Sequence, residues 1–220
     1  MNIYRRYVYE QLDGINENPD VVLEKCAWYI AELLRWNKSV NLTSITDTNE
    51  CWEKHIQDSL VPLSYVYKSE SMLDIGSGAG LPAIPVKLCC PELYIVSVDK
   101  VRKKINFQNH CKRQLQLNRF EAVSAQVNHL FKYERSFEIV IARAVASLET
   151  LIDLGAVYIK PGGRLLALKS HVDNHELEAG QRAGYPHSLE LEQVVETALR
   201  PSMAERKLII FKSHKKHEYN

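Results

Sequence analysis

The chain has 220 residues, of which 45% are apolar and 25% are charged, and its formal net charge at pH 7 is +1. This length suits one α/β domain with an appendage, and the composition is ordinary for a globular protein. The near-neutral charge argues against nucleic-acid binding by the surface as a whole, so any such binding must come from a local patch.

Five cysteines form an odd set without C-x-x-C spacing, which indicates reduced thiols rather than a disulfide framework or a zinc site. The first ten residues carry Arg5, Arg6 and Glu10 and lack the apolar segment of a signal peptide. No stretch reaches the length of a membrane span, and Arg143 interrupts the apolar run around it. We therefore expect a cytoplasmic protein that contacts no membrane and holds no metal, and a monomer is the default expectation for its oligomeric state.

Residues 1 to 65 have the pattern of a helical region. A polar, turn-prone segment at 36–43 separates an apolar stripe from a second helix, which is predicted from Thr48 to about Tyr65. The region is predicted to form a helical cap, residues 1–68, that packs on the rest of the chain. The apolar stripe, at helical spacing, comprises Val22, Ala27, Ile30, Leu33 and Leu34.

From Ser71 onward strands and helices alternate, which indicates a doubly wound, mostly parallel sheet. Helices are predicted near 82–90, 100–116, 146–159 and 173–182, and a turn at 161–163 leads into the fifth strand. The predicted fold class is α/β, a Rossmann-like domain of seven strands over residues 69–220 with an N-terminal helical extension. The predicted strands are Met72–Ile75, Tyr94–Val98, Phe120–Ser124, Glu138–Ala142, Arg164–Leu168, Leu189–Thr197 and Arg206–Lys212.

The first of these strands leads directly into three alternating glycines, Gly76, Gly78 and Gly80, which let a ligand approach the backbone without interference from Cβ atoms. The usual dinucleotide pattern would place its third glycine at position 81, where Leu81 stands instead. A loop at this end of a parallel strand, followed by a helix, can bind a nucleotide phosphate or the carboxylate of S-adenosylmethionine. A tight turn without a ligand is the structural alternative.

Asp99 follows the second strand, 19 residues after Gly80. A carboxylate at this distance can accept hydrogen bonds from both hydroxyls of a ribose. Its alternative role is to cap the helix that starts near Lys100. Asp74, two residues before Gly76, would lie near a sulfonium group.

The G-x-G-x-G spacing with its preceding acid resembles the first motif of class I S-adenosylmethionine-dependent methyltransferases. Residues 36–43 resemble the signature W-N-x-x-x-N-L-T of one family, and residues 55–59 resemble its H-I-x-D-S. Residues 74–85 resemble D-x-G-[ST]-G-x-G-[FL]-P-G-I-P, and 143–144 and 167–169 resemble R-A and A-L-K. Over roughly residues 33 to 212 the chain resembles the bacterial 16S ribosomal RNA guanine-N7 methyltransferases, also called glucose-inhibited division protein B.

This resemblance implies a class I methyltransferase fold and S-adenosylmethionine as cofactor. The partner it implies is 16S ribosomal RNA or the small ribosomal subunit. The chain departs from the family pattern at Lys54, Ala83, Ala142 and Ser170, and residues 126–129 stand where an acidic residue usually lies near the adenine. The cofactor-binding residues implied are Asp74, Gly76, Ser77, Gly78, Gly80, Leu81, Asp99, Gln126, Val127 and Arg143.

Guanine N7 already carries a lone pair at neutral pH, so its methylation needs no general base, and positioning with electrostatics must supply the catalysis. Arg143, at the end of the fourth strand, is predicted to position the guanine or a phosphate. A salt bridge to a carboxylate is its structural alternative. Contacts with substrate RNA are predicted for Asn41, His55 and Lys169, whose alternatives are a turn, a helix-packing contact and a solvated strand end.

Two groups of basic residues could contact RNA phosphates, although such runs are also typical of solvated faces. A methyltransferase for another acceptor and a non-catalytic ribosome-binding protein are alternatives on the same fold. A nicotinamide oxidoreductase is disfavoured by Leu81. The basic groups are Arg102, Lys103, Lys104, Lys112 and Arg113 after the second strand, and Lys212, His214, Lys215, Lys216 and His217 at the end of the chain.

Overall fold

The computed structural model describes residues 2–143 and 146–214. Its centre is a seven-stranded sheet with the order β3-β2-β1-β4-β5-β7-β6, in which β1 to β5 are parallel and β6 and β7 form an antiparallel hairpin beside β5. This architecture confirms the predicted fold class. The strands are β1 Ser71–Ile75, β2 Tyr94–Asp99, β3 Phe120–Ser124, β4 Phe137–Arg143, β5 Ile159–Lys169, β6 Leu189–Leu199 and β7 Ala204–Ser213.

Helices cover both faces of the sheet, which explains why its central strands are apolar on both sides. We number the helices α1 Ile3–Gln11, α2 Pro19–Asn37, α3 (residues 48–60), α4 Ala83–Cys89, α5 Arg102–Gln114, α6 Leu148–Gly155 and α7 Asn174–Gly184. Short 3₁₀ turns lie at Leu63–Tyr65, Val127–His129, Phe131–Tyr133, Ala156–Tyr158 and Tyr185–His187.

The N-terminal helices share a hydrophobic core with one face of the sheet. Tyr29 and Leu33 of α2 belong to the same buried cluster as Ile84 of α4 and Phe107 of α5. Alternate residues of the strands face a second cluster, which α6 fills with Leu151 and its neighbours. The helical layer is therefore packed directly against the helices that follow β1 and β2.

Helix α3 differs from the regular helix predicted between Thr48 and Tyr65. It comprises α-helical Thr48–Cys51, π-helical Trp52–Gln57 and α-helical Asp58–Leu60 in continuous succession. In the wide turn, the N–H of Asp58 donates to the carbonyl of Glu53, five residues back. Such π-helical turns are rare and occur often at functional sites.

Strand β5 begins at Ile159, five residues before the predicted start. The pairing with β4 passes from Phe137 with Ile159 to Ile139 with Arg164, so 161–163 bulges out of the strand. Gly162 adopts a φ of +80°, which a glycine tolerates without steric cost. The predicted turn is therefore a bulge within one longer strand.

All five cysteines are buried and free, as the sequence indicated. Over residues 2–143 and 146–214, no helix combines the length and the apolar character that a bilayer crossing requires.

Candidate active site

The loop after β1 lies at the carboxyl edge of the sheet and contains three left-handed glycines. Gly76, Gly78 and Gly80 have φ values of +68°, +58° and +89°. A Cβ on Gly78 would meet nothing within 4 Å, whereas a Cβ on Gly80 would lie 2.5 Å from Ile84 Cδ1. Gly78 therefore leaves open space above the loop, and Gly80 allows close packing below it.

Asp99 joins this loop to the end of β2. Its Oδ2 accepts a hydrogen bond from Gly78 N–H at 2.9 Å, and its Oδ1 accepts one from Val101 N–H at 2.8 Å. Lys104 Nζ lies 3.8 Å from Oδ2. Asp99 is not the N-cap of α5, because that position is held by Val101, which has no side-chain cap. The carboxylate instead holds the turn before α5 and contacts the glycine loop, and its predicted contact with a ribose stays a prediction.

Asp74 is completely buried beneath the loop. Its Oδ2 accepts a hydrogen bond from Ala83 N–H at 3.3 Å, while Oδ1 has no partner among the described residues. Burial raises the pKa of this carboxyl well above its usual range, against the opposing influence of Ala83 N–H and the charge of Arg143. A buried acceptor without a partner fits a cofactor whose positive sulfonium or ammonium group would satisfy it.

Two residues that the sequence motifs did not indicate hold the loop from below. Gln108 of α5 is fully buried, and its Nε2 donates to Ser77 Oγ at 2.8 Å and to the Gly78 carbonyl at 2.9 Å. Tyr29 of α2 is also fully buried and donates its hydroxyl to the Ala79 carbonyl at 3.0 Å. In the sequence both are ordinary members of helices, so no motif could have identified them.

Arg143 lies at the end of β4, as expected, and its guanidinium contacts α3. Its Nη1 donates to the Lys54 carbonyl at 2.8 Å and to Asp58 Oδ2 at 3.1 Å. The N–H of Asp58 bonds Glu53 in the π-helical turn, so the Lys54 carbonyl can accept from Arg143. Asp58 Oδ1 accepts a second guanidinium, Arg206 Nε, at 2.8 Å. The salt bridge that was the structural alternative for Arg143 is therefore present.

His55 is buried in the same turn rather than exposed to solvent. Its Nε2 is 2.8 Å from Thr43 Oγ1, and its Nδ1 is 3.2 Å from the Lys54 carbonyl. Burial and the neighbouring Arg143 lower the pKa of His55 to about 4, so the imidazole is neutral at physiological pH. The structure thus places His55 as a link between α3 and the segment at 36–43.

That segment is organised by Asn37. Its Oδ1 accepts the backbone N–H groups of Leu42 and Thr43 at 2.8 and 3.0 Å, and its Nδ2 donates to the Thr43 carbonyl at 2.9 Å. Asn41 projects from this loop as an exposed residue. Its predicted contact with RNA stays a prediction.

The turn after β3 lies beside Asp99, because Ala125 N–H donates to the Asp99 carbonyl at 3.2 Å. Gln126 is exposed, and the Val127 carbonyl accepts from Leu130 N–H at 3.2 Å and from the Tyr158 hydroxyl. The carbonyl of Val127 is thus engaged within the protein. Leu81, the last of the predicted loop residues, is buried in the core below the turn.

Lys169 is at the end of β5 but is not a solvated strand end. Its Nζ donates to the Ala146 carbonyl at 2.7 Å and forms an ion pair with Glu176, whose Oε1 also accepts Leu148 N–H at 3.0 Å. Its predicted contact with RNA stays untested. Ala144 of the R-A pair and the tail residues Lys215, Lys216 and His217 lie outside the described residues.

Solved structures share this arrangement of strands. Precorrin-6y C5,15-methyltransferase from Geobacter metallireducens matches with a TM-score of 0.55 and 18% identity, over 71% of this chain and 87% of that one. M. jannaschii TYW2 in complex with AdoMet matches with a TM-score of 0.59 and 12% identity, over 72% and 74%. At these identities the likeness establishes the class I methyltransferase fold alone.

Sequence comparison goes further. A family model described as rRNA small subunit methyltransferase G matches residues 22–209. The ribosomal RNA small subunit methyltransferase G of Syntrophotalea carbinolica is 40% identical, over 87% of this chain and 89% of that protein. The protein of the same name from Bacillus cytotoxicus is 36% identical, over 92% and 87%. The chain therefore belongs to the rRNA small subunit methyltransferase G family.

Proposed function

We propose that this protein transfers the methyl group of S-adenosylmethionine to N7 of a specific guanine in 16S ribosomal RNA. The observation that carries the proposal is the open glycine loop, with Asp99 bonded to Gly78 and the unpartnered carboxyl of Asp74 beneath. In keeping with this substrate, we propose that the protein acts in the cytoplasm and as a monomer.

The order of the strands suggests how the cofactor lies. Because β3, β2 and β1 are adjacent, their carboxyl ends would contact the adenine, the ribose and the amino-acid part in that order. Asp99 would accept the ribose hydroxyls, and the loop from Gly76 to Gly80 would pass beneath the amino-acid part. The exposed side chain of Gln126 and the backbone N–H of Val127 are proposed to recognise the adenine edge, since the Val127 carbonyl is already engaged.

The bound cofactor would supply an activated methyl group, and the acceptor nitrogen needs no deprotonation. The protein must therefore hold the guanine in line with that methyl and stabilise the charge that moves onto the base. Arg143 is proposed to position the guanine or its phosphate, with Asp58 and the Lys54 carbonyl fixing the guanidinium. Asn41, His55 and Lys169 are proposed at the edge of the RNA site, with His55 acting through Thr43.

The test is a methylation assay with labelled S-adenosylmethionine and either intact small subunits or naked 16S RNA. We expect one of these substrates to be labelled, and chain cleavage after reduction and aniline treatment to map the label to N7 of one guanine. Arg143→Lys, which retains the charge but loses the planar fork, and Arg143→Ala should both reduce kcat/KM. A rise in the Kd for the cofactor in Arg143→Ala would support the cofactor contact that is also proposed for Arg143.

Three outcomes would contradict the proposal. Protein that binds the cofactor but labels neither RNA would favour a non-catalytic ribosome-associated role. Label on another RNA or on a small molecule would favour a different acceptor on the same fold. An Arg143→Ala variant with unchanged kinetics would remove Arg143 from the site.

A further inference from the structure

The floor of the glycine loop is built by residues from two helices outside the motif. Gln108 reaches up from α5 to Ser77 and Gly78, and Tyr29 reaches from α2 to Ala79. Together they contact three consecutive residues of the loop. Both side chains are fully buried, so they cannot exchange these hydrogen bonds for bonds to solvent.

The orientation of the Gln108 amide follows from its partners. The Gly78 carbonyl is only an acceptor and lies 2.9 Å away, so the atom that faces it must be the NH₂ group. The other side-chain atom, Oε1, is buried without a partner. The amide of Gln108 therefore donates two hydrogen bonds to the loop through its NH₂ group, while its Oε1 accepts none from the described residues.

These contacts fix the direction of a peptide plane. In a trans peptide the C=O and the following N–H point to opposite sides, so a Gly78 carbonyl held inward directs Ala79 N–H away from Gln108. Among the residues that the structure describes, no acceptor is found for Ala79 N–H. The space above Gly78 is open on the same loop, as the absence of any atom near a Cβ there shows.

Reversal of this peptide plane would change ψ of Gly78 and φ of Ala79, and the missing Cβ of glycine leaves that ψ with few steric limits. Reversal would present a carbonyl oxygen to the ligand in place of an N–H group. The N–H groups of Gly78, Gly80 and Leu81 are bonded within the protein, so Ala79 N–H is the loop N–H that stays available to a ligand among the described residues. We propose that Gln108 and Tyr29 are positioning residues that fix the carbonyls on both sides of Ala79, keep its N–H facing the ligand, and so select the carboxylate end of the cofactor. This inference rests on the proposed function, since it assigns part of the same cofactor site.

The test compares two ligands that share the nucleoside. S-adenosylhomocysteine carries the amino-acid carboxylate, and methylthioadenosine lacks it. In Gln108→Met and in Tyr29→Phe we expect the Kd for S-adenosylhomocysteine to rise about 10- to 150-fold, the effect of one hydrogen bond to a charged group. The Kd for methylthioadenosine should change by less than about twofold. Calorimetric titration measures both.

Matched controls separate positioning from general weakening of the fold. Gln57→Met removes a buried glutamine that bonds the backbone of Arg200, and Tyr94→Phe removes a hydroxyl that bonds Glu121 at 2.7 Å. We expect these controls to lower Tm with both Kd values unchanged.

An equal rise in Kd for both ligands in the Gln108 and Tyr29 variants would overturn the inference. A lowered Tm with unchanged Kd values would overturn it as well. A wild-type protein that binds neither ligand would instead overturn the proposed function, and the inference with it. If the wild type binds both ligands but the Gln108 and Tyr29 variants lose affinity for both ligands equally, the proposed function stands and only the positioning role is rejected.

Discussion

Asp58 is the residue on which the geometry around Arg143 depends. One carboxylate, about 5% exposed as a residue, accepts guanidinium groups from two strands, Arg143 at 3.1 Å and Arg206 at 2.8 Å. Removal of its charge would leave two arginines facing each other with little water to screen them.

We expect Asp58→Asn to lower the free energy of unfolding by about 2–4 kcal/mol, because breaking a buried ion pair leaves charge uncompensated. Urea denaturation measures the change. Glu10→Gln is the matched control, since Glu10 also lies between two arginines, Arg6 and Arg200, but is 44% exposed. A change below about 1 kcal/mol is expected there. Equal losses in the two variants would show that burial does not matter at Asp58.

His55 makes stability depend on pH. Its pKa is lowered from 6.5 to about 4 in the folded protein, so the unfolded chain takes up the proton first as the pH falls. The contribution of the neutral imidazole is therefore complete above pH 6.5 and is lost as the pH falls toward 4. A lowering of this size corresponds to about 3 kcal/mol.

The measurement compares unfolding free energies of the wild type and His55→Asn between pH 7 and pH 4. Asparagine keeps hydrogen-bonding capacity but does not titrate, so the difference between the two proteins should shrink steadily as the pH falls. Parallel curves would mean that folding leaves the pKa of His55 unchanged.

At the scale of elements, α3 connects three parts of the molecule. In its π-helical turn, the Lys54 carbonyl accepts a hydrogen bond from Arg143, and His55 is hydrogen-bonded to Thr43. Gln57 and Glu53 of the same turn bind the β6–β7 hairpin. Gln57 Oε1 accepts Arg200 N–H at 2.6 Å, and Glu53 Oε1 accepts Ser202 N–H at 3.2 Å. The turn thus brings the hairpin beside the end of β4.

We expect Gln57→Met to speed hydrogen exchange at the Arg200 amide about tenfold, since it removes one hydrogen bond worth about 1–1.5 kcal/mol. Mass spectrometry of peptides that cover residues 199–204 measures this. Amides of β1 serve as the internal control and should exchange as in the wild type. Uniform acceleration across both regions would indicate global destabilisation instead of a released hairpin.

The sequence predicted where the strands and helices lie, but not the irregular turns within them. All seven strands were predicted, because short apolar runs alternate along the chain with longer stretches of helical periodicity. The wide turn in α3 and the bulge before Arg164 were missed, since both depend on tertiary contacts that no local pattern encodes. At the site, Asp74, Asp99 and the glycines were predicted from spacing, whereas Gln108 and Tyr29 required knowledge of which helices lie beneath the loop.

At the scale of the whole molecule, the sequence predicts a boundary at residue 68 between the helical cap and the α/β domain. Unfolding experiments show whether these two parts unfold separately or together. The N-terminal helices share one buried cluster with α4, α5 and the sheet, which argues for a single cooperative unit. The chain offers a direct probe, because all three tryptophans, Trp28, Trp36 and Trp52, lie in the first 60 residues.

Tryptophan fluorescence should therefore report the helical layer, and far-UV circular dichroism the whole protein. We expect the two thermal transitions to coincide, with one Tm. A fluorescence transition that precedes the loss of circular dichroism would instead show that residues 1–68 unfold as a separate cap.

The pairing of one carboxylate with two guanidinium groups also affects the rate at which the protein associates with its substrate. Asp58, Arg143 and Arg206 together carry a net charge of about +1 in a partly desolvated corner, where the field is screened less than on an open surface. A polyanion approaching this edge is attracted there although the whole protein is almost neutral. Association should consequently slow as ionic strength rises, while the unimolecular methyl transfer that follows should not.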